Sequence, residues 1–232
     1  MENKFERLQG LVPEQAEGQQ EEIKERIETA KNALLSHLAL KPDEKIIIIH
    51  GAESNSEIIS IMEKAAQATR AACEIFVADK SRTRKDLLEK LKTHKVILDF
   101  SWKQYKTTDN LYDKDLADSG ARLICFADSN EKLFDKNGAM SENLAEMKQR
   151  MSKMENELNK AKGFRITSVY GTNLEIPLRP FGERNWYKCT GVVAEPGKWD
   201  NWPGGEVFSS QDDFRQKKSG RKIIDEGRFN LL

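Results

Sequence analysis

The segment Trp202-Pro203-Gly204-Gly205-Glu206-Val207-Phe208 carries the densest chemistry in the chain. Two adjacent glycines let a backbone approach its neighbour closely, and the carboxylate that follows precedes an apolar strand that would hold it still. A fixed carboxylate with open space beside it suits a hard or borderline divalent metal ion, which makes Glu206 the first candidate ligand. A second set, His50, Asp79, Asp99 and Asp128, stands at the carboxyl ends of apolar runs, where open α/β sheets bind ligands. Each of these has an ordinary explanation too, because aspartates cap turns and helices and a strand-end histidine can be satisfied locally. His50 and Asp99 are the crevice residues carried forward. Trp186, Tyr187, Trp199 and Trp202 offer a stacking platform for an aromatic ligand or nucleic acid, but no basic stripe accompanies them, which favours core and corner packing. Neither GxGxxG nor GxxxxGK[ST] nor GxSxG occurs, so nucleotide and acyl-enzyme chemistry lose support.

Composition narrows the class. The 38 Lys+Arg cancel the 38 Asp+Glu, so no global field draws the chain to nucleic acid or anionic membrane. The longest aliphatic run, Ile46 to Ile49, falls far short of the roughly 20 apolar residues that span a bilayer, and residues 1–30 contain no apolar signal core. The expected compartment is the cytoplasm, with no membrane or nucleic-acid partner. Cys73, Cys125 and Cys189 lie far apart with no CxxC spacing, which fits reduced thiols.

The elements that must position these residues follow from periodicity. Apolar residues at Ile23, Ile27, Ala30, Leu34 and Leu38 predict a helix over 14–39. Strands are expected at 45–51, 73–78, 95–100 and 122–127, separated by helices near 55–69, 82–92 and 112–119. That alternation predicts an α/β fold: an open, mostly parallel, doubly wound domain over 1–140. Residues 141–162 read as a charged connecting helix whose seam (Leu144, Met147, Met151, Met154, Leu158) has heptad spacing. It spans under three heptads, so packing on its own sheet is favoured over a dimer zipper. Residues 163–232, rich in Gly and Pro, read as the beginning of a mainly antiparallel α+β domain. Its strand candidates are Phe164–Val169, Asn173–Leu178, Tyr187–Val193 and Lys222–Leu231. The apolar end at Phe229-Asn230-Leu231-Leu232 gives the expectation of a truncated domain, and an exposed strand edge there favours a homodimer.

Gly171-Thr172-Asn173-Leu174-Glu175-Ile176, followed by Pro203-Gly204-Gly205-Glu206-Val207-Phe208, resembles the paired GTDL and E-V-F signatures of the aminopeptidase T (leucyl aminopeptidase) family. The same superfamily includes 2,5-dihydroxypyridine 5,6-dioxygenase. Leu40-Lys41-Pro42-Asp43-Glu44-Lys45-Ile46-Ile47 is similar to the family's entry to its first strand, and Asp118-Ser119-Gly120-Ala121-Arg122 resembles its Gly-Ala-Arg helix end. The resemblance implies an α/β domain followed by a metal-bearing domain in which Glu206 is a metal ligand. In the peptidases the metal would be Zn, Co or Mn, polarising a peptide carbonyl and activating water; in the dioxygenase it would be Fe(II) acting with oxygen on a small ring substrate. The sequence departs from the family in two ways. Asn173 replaces the aspartate of GTDL, and no histidine occurs beyond His94, although the resemblance implies two histidines, a glutamate and an aspartate downstream.

Three functions therefore remain open: a metallo-aminopeptidase acting on N-terminal peptide bonds and incomplete as a single chain, an Fe(II) ring-cleaving dioxygenase relative, and a non-catalytic binding or vestigial protein.

Overall fold

A computed structural model describes residues 13–78, 84–101, 113–126, 130–180 and 186–209. Asp79, Asp128 and the Lys222–Leu231 strand candidate lie outside the described residues.

The first unit is built on a parallel sheet. Its strands are β1 (Lys45–His50), β2 (Ala72–Val77), β3 (Val96–Asp99), β4 (Arg122–Phe126) and, much later in the chain, β8 (Trp199–Trp202), in the spatial order β2-β1-β3-β4-β8. Every pairing is parallel. The chain leaves β1 for β2 on one side, then passes back to β3 on the other. Right-handed crossovers in opposite directions must place their helices on opposite faces. Accordingly α2 (Ser56–Ala68), with α1 (Pro13–His37), covers the face carrying Ile46, Ile48, Leu98, Ile124 and Phe126. On the other face, α3 (Arg84–Leu91) and α4 (Asp113–Ser119) cover Ile47, Ile49, Ile97 and Leu123. Burial on both faces explains why β1 reads as an unbroken isoleucine run rather than an alternating one.

Local chemistry sets the helix ends. Asn55 caps α2, its side-chain oxygen accepting from the Glu57 N–H at 2.9 Å. Beyond α1, Ala39 adopts φ +45° and the Arg122 guanidinium donates to the Leu38 and Ala39 carbonyls while pairing with Glu44 at 2.5 Å. That interaction satisfies orphan carbonyls at the helix end and ties it to the start of β4.

β8 is the element that periodicity did not reveal. Residues 191–204 return to the first unit, whereas the described residues of 143–190 and 205–209 belong to the second, so the fold is discontinuous where the sequence suggested 1–140, 141–162 and 163–232. Trp202, 1% exposed, meets Phe126, Phe134 and His37 edge-on. Its Nε1–H donates to the Gly191 carbonyl at 2.7 Å. The same carbonyl accepts from His37 Nδ1 at 3.1 Å, which fixes the proton on that nitrogen. Gly191 has φ +67°, and a Cβ there would sit 3.1 Å from the Gly204 nitrogen. Of the tryptophan cluster, then, Trp202 is core, Trp199 is 53% exposed, and Trp186 belongs to the second unit.

In the second unit, α5 (Leu144–Lys160) follows an Asn143 cap and precedes the hairpin β5 (Gly163–Thr167) and β6 (Asn173–Pro177). β7 (Trp186–Cys189) pairs antiparallel with β9 (Glu206–Ser209). Met147, Met151 and Leu158 of the heptad-spaced seam pack against Val207, with Phe164 and Trp186 alongside. The seam is thus covered by the unit's own strands. The whole is the mixed α/β architecture expected: a parallel five-stranded sheet plus small antiparallel ribbons.

Candidate functional site

Glu206 is the first residue of β9 and lies opposite Cys189 of β7. Alternation along the ribbon sorts its side chains onto two faces. Val207 (2% exposed) and Trp186 pack toward α5 and anchor the strand. Glu206, Cys189, Tyr187 and Phe208 share the other face, where the Tyr187 and Phe208 rings stack at 5.5 Å between centroids. Gly205 sets the entry to this strand: its φ is +104°, and its N–H donates to the Cys189 carbonyl at 2.7 Å. A Cβ at Gly205 would meet only ordinary contacts, so the need for glycine here is conformational. The Glu206 carboxylate is half-buried and has no hydrogen bond or ion pair among the described residues. Tyr187 and Cys189 escaped the sequence reading as neighbours of Glu206. Their alternation was visible, but nothing short-range signals that strands separated by the excursion through β8 pair with each other.

His50 and Asp99 end adjacent strands, β1 and β3, at the point where the sheet order reverses, the position where open α/β folds bind ligands. Their side chains nevertheless diverge. Asp99 is in register with Ile49, so His50, one residue further, points to the opposite face. Asp99 is completely buried and accepts from the Ser101 N–H at 2.8 Å and the Ser101 hydroxyl at 2.7 Å. This is a turn-forming aspartate, the ordinary role its position allowed. His50 is half-buried and its Nδ1 donates to the Gly51 carbonyl at 3.1 Å, leaving the Nε2 lone pair as the ring's acceptor. The loop beneath it is stapled to β3: Gly51 N–H donates to Ser54 Oγ, whose hydroxyl donates to the Phe100 carbonyl. A cleft of about 370 Å³ lies elsewhere in this unit, lined by Glu22, Arg26, Lys132 and Asp135. Arg26 is already engaged there by Glu22, by Asp135 at 2.6 Å and by Glu57 at 3.0 Å.

A sequence profile of the NicX family, 2,5-dihydroxypyridine 5,6-dioxygenase, matches residues 26–231. The chain belongs to this family. The resemblance seen in the motifs put aminopeptidase T first and the dioxygenase second; the profile reverses that order. Among solved structures, the 2,5-dihydroxypyridine dioxygenase from Pseudomonas putida KT2440 is similar with a TM-score of 0.50 and 17% identity, over 79% of this chain and 55% of that one. Wild-type AmpT from Thermus thermophilus gives a TM-score of 0.44 and 13% identity, over 81% of this chain and 61% of that one. The chain therefore spans little more than half the length of the dioxygenase whose fold it shares. No curated protein sequence matches it. No helix among the described residues is long and apolar enough to cross a membrane.

The family implies a divalent metal. Among the described residues no three His, Cys, Asp or Glu side chains converge to hold one. Of the chain's three histidines, His37 is committed to Gly191, and His94 to Glu74 (3.2 Å) and the Lys90 carbonyl (3.1 Å). Catalytic iron or zinc takes about three protein ligands, and the described residues do not supply that set.

Proposed function

We propose that this chain serves ring-cleaving dioxygenase chemistry on a hydroxylated nitrogen heterocycle, with Glu206 as its carboxylate toward the metal and further ligands drawn from outside the described residues. The observation that carries this reading is the family match over residues 26–231, which takes in both the parallel sheet and the Glu206 strand. The local geometry supports it. The half-exposed Tyr187 ring, stacked on Phe208, offers an aromatic face to a flat substrate, and an unpaired carboxylate on the same face can accept from a ring hydroxyl or N–H. Val207, locked against α5, keeps that carboxylate from drifting. A second reading, a non-catalytic binding protein, is favoured by the shortage of metal donors among the described residues.

The test is anaerobic loading of the full chain with Fe(II), elemental analysis after desalting, then 2,5-dihydroxypyridine and oxygen with oxygen uptake and ring absorbance followed together. Stoichiometric iron, and ring loss matched by oxygen uptake, both abolished in Glu206→Gln, is the expected result. Hydrolysis of a chromogenic leucine amide without oxygen uptake would establish peptidase chemistry instead. Absence of bound metal and of either reaction would leave the binding-protein reading standing.

A further inference from the structure

β2 is the terminal strand of the five-stranded sheet, so one of its edges has no partner strand among the described residues. The register identifies what lies along that edge. The Ala78 N–H donates to the His50 carbonyl of β1 at 2.7 Å. Because backbone groups alternate sides along a strand, residues 74, 76 and 78 face β1, while Cys73, Ile75 and Val77 direct their N–H and C=O groups outward. The side chains of these three share one face, with Ile75 36% and Val77 52% exposed. Strand edges are ordinarily blunted by lysine, proline or a bulge. β2 reads Ala-Cys-Glu-Ile-Phe-Val and has none of these; its single charge, Glu74, lies on the other face with Phe76 and is engaged by Lys90 and His94.

We propose that β2 pairs antiparallel with β2 of a second copy of this chain, about a two-fold axis through Ile75. Such an axis, perpendicular to the sheet, keeps each face with itself, so a residue can oppose only residues of its own parity. Centring on Ile75 sets Ile75 against its own copy and Cys73 against Val77 of the second copy, twice. All three are outward-directed positions, giving about six hydrogen bonds and an uninterrupted apolar row on one face. Centring on Glu74 sets two carboxylates opposite each other, and either neighbouring register forms about two bonds fewer. A second copy is the occupant this edge fits, because its donors, acceptors and apolar side chains complement themselves. The seam of α5, the other association surface visible in the sequence, is already covered within its own unit.

The full chain should sediment at twice its 26.5 kDa mass, shifting toward monomer on dilution. Ile75→Lys should be monomeric throughout, with an unchanged circular dichroism spectrum as the folding control. Two cysteine variants test the register and place no charge in the sheet. Opposed residues in a hydrogen-bonded antiparallel pair lie about 5.5 Å apart at Cα, within disulfide range. Ile75→Cys should therefore link to itself across the axis, and Val77→Cys to native Cys73 of the second copy, by peptide mapping after mild oxidation. Leu174→Cys, on the β5–β6 hairpin, should stay unlinked. A wild-type chain that stays monomeric, an Ile75→Lys variant that stays dimeric, or a Val77→Cys variant that does not link to Cys73 would each overturn the proposal.

Discussion

Replacing Trp202 by phenylalanine tests whether β8 is a core strand. The indole is 1% exposed, ringed by His37, Phe126 and Phe134, and donates to Gly191 at 2.7 Å. Full truncation of a buried tryptophan costs about 3–5 kcal/mol, so losing the pyrrole part of the ring costs about 1–2 kcal/mol. The lost hydrogen bond adds about 1 kcal/mol, for about 2–3 kcal/mol in all. It adds no more, because the buried Gly191 carbonyl still accepts from His37 Nδ1. That shared acceptor makes the double variant diagnostic. With His37→Phe added, the carbonyl loses both donors, and the pair should cost about 1–3 kcal/mol beyond the sum of the singles. Urea unfolding by far-UV circular dichroism measures the totals, and hydrogen exchange at β1, β3 and β4 amides isolates the first unit. Trp199→Phe, on the same strand but 53% exposed, should stay within about 0.5 kcal/mol. A Trp202→Phe variant as mild as Trp199→Phe, or an additive double variant, would refute the reasoning.

Gly205→Ala forces a side chain onto φ +104° and should cost about 1–3 kcal/mol, whereas Gly18→Ala, inside α1 with nothing within 4 Å, should stabilise by about 0.5–1 kcal/mol; thermal melts of both read the contrast. Arg26→Leu leaves the largely buried Glu57 without its guanidinium partner and should cost about 3 kcal/mol in denaturant unfolding; a loss under about 1 kcal/mol would show that the cluster is only a surface network. For Glu74, the hydrogen bond from Lys90 outweighs burial and holds the carboxyl below its ordinary 4.5. A carboxylate depressed in the folded state stabilises above its unfolded value, and that contribution is lost as pH falls through the folded one. Stability should therefore decline on acidification below about pH 4.5, less steeply in Glu74→Gln, and equal slopes would remove Glu74 as a contributor.

The parallel sheet was legible because its signals are local. The unbroken run Ile46 to Ile49 is the pattern of a strand covered on both faces, as parallel strands between helices are, and the intervening helices each carry one apolar stripe. The placing of Glu206 at the head of an apolar strand was legible for the same reason: two glycines, a carboxylate and an apolar run are adjacent in sequence. What the sequence concealed is long-range. Trp199-Asp200-Asn201-Trp202 has no β-branched residue and two polar ones, so neither propensity nor pattern marks it as a strand beside β4. Its place in the sheet is fixed instead by Trp202 filling the space among Phe126, Phe134 and His37, a packing fact no window of residues contains. Asp99 shows the converse. Its position at a strand end was read correctly, but only the Ser101 contacts reveal that its Oδ1 is occupied by two turn hydrogen bonds.

That distinction between position and availability bears on the metal. Glu206 owes its placement to backbone pairing with Cys189 and to Val207 against α5, and among the described residues its carboxylate makes no ion pair that would keep it from a ligand. A half-buried carboxylate without a partner is a standing desolvation cost, which an incoming cation or hydrogen-bond donor would offset. The histidines divide on the same ground. His94 spends both ring nitrogens, on the Lys90 carbonyl and Glu74, whereas His37 and His50 each spend Nδ1 on a backbone carbonyl, Gly191 and Gly51 respectively. Family membership supplies the expectation of a metal, but coordination depends on uncommitted lone pairs. Among the described residues no three His, Cys, Asp or Glu side chains converge, so the coordination sphere of a catalytic metal is not filled there.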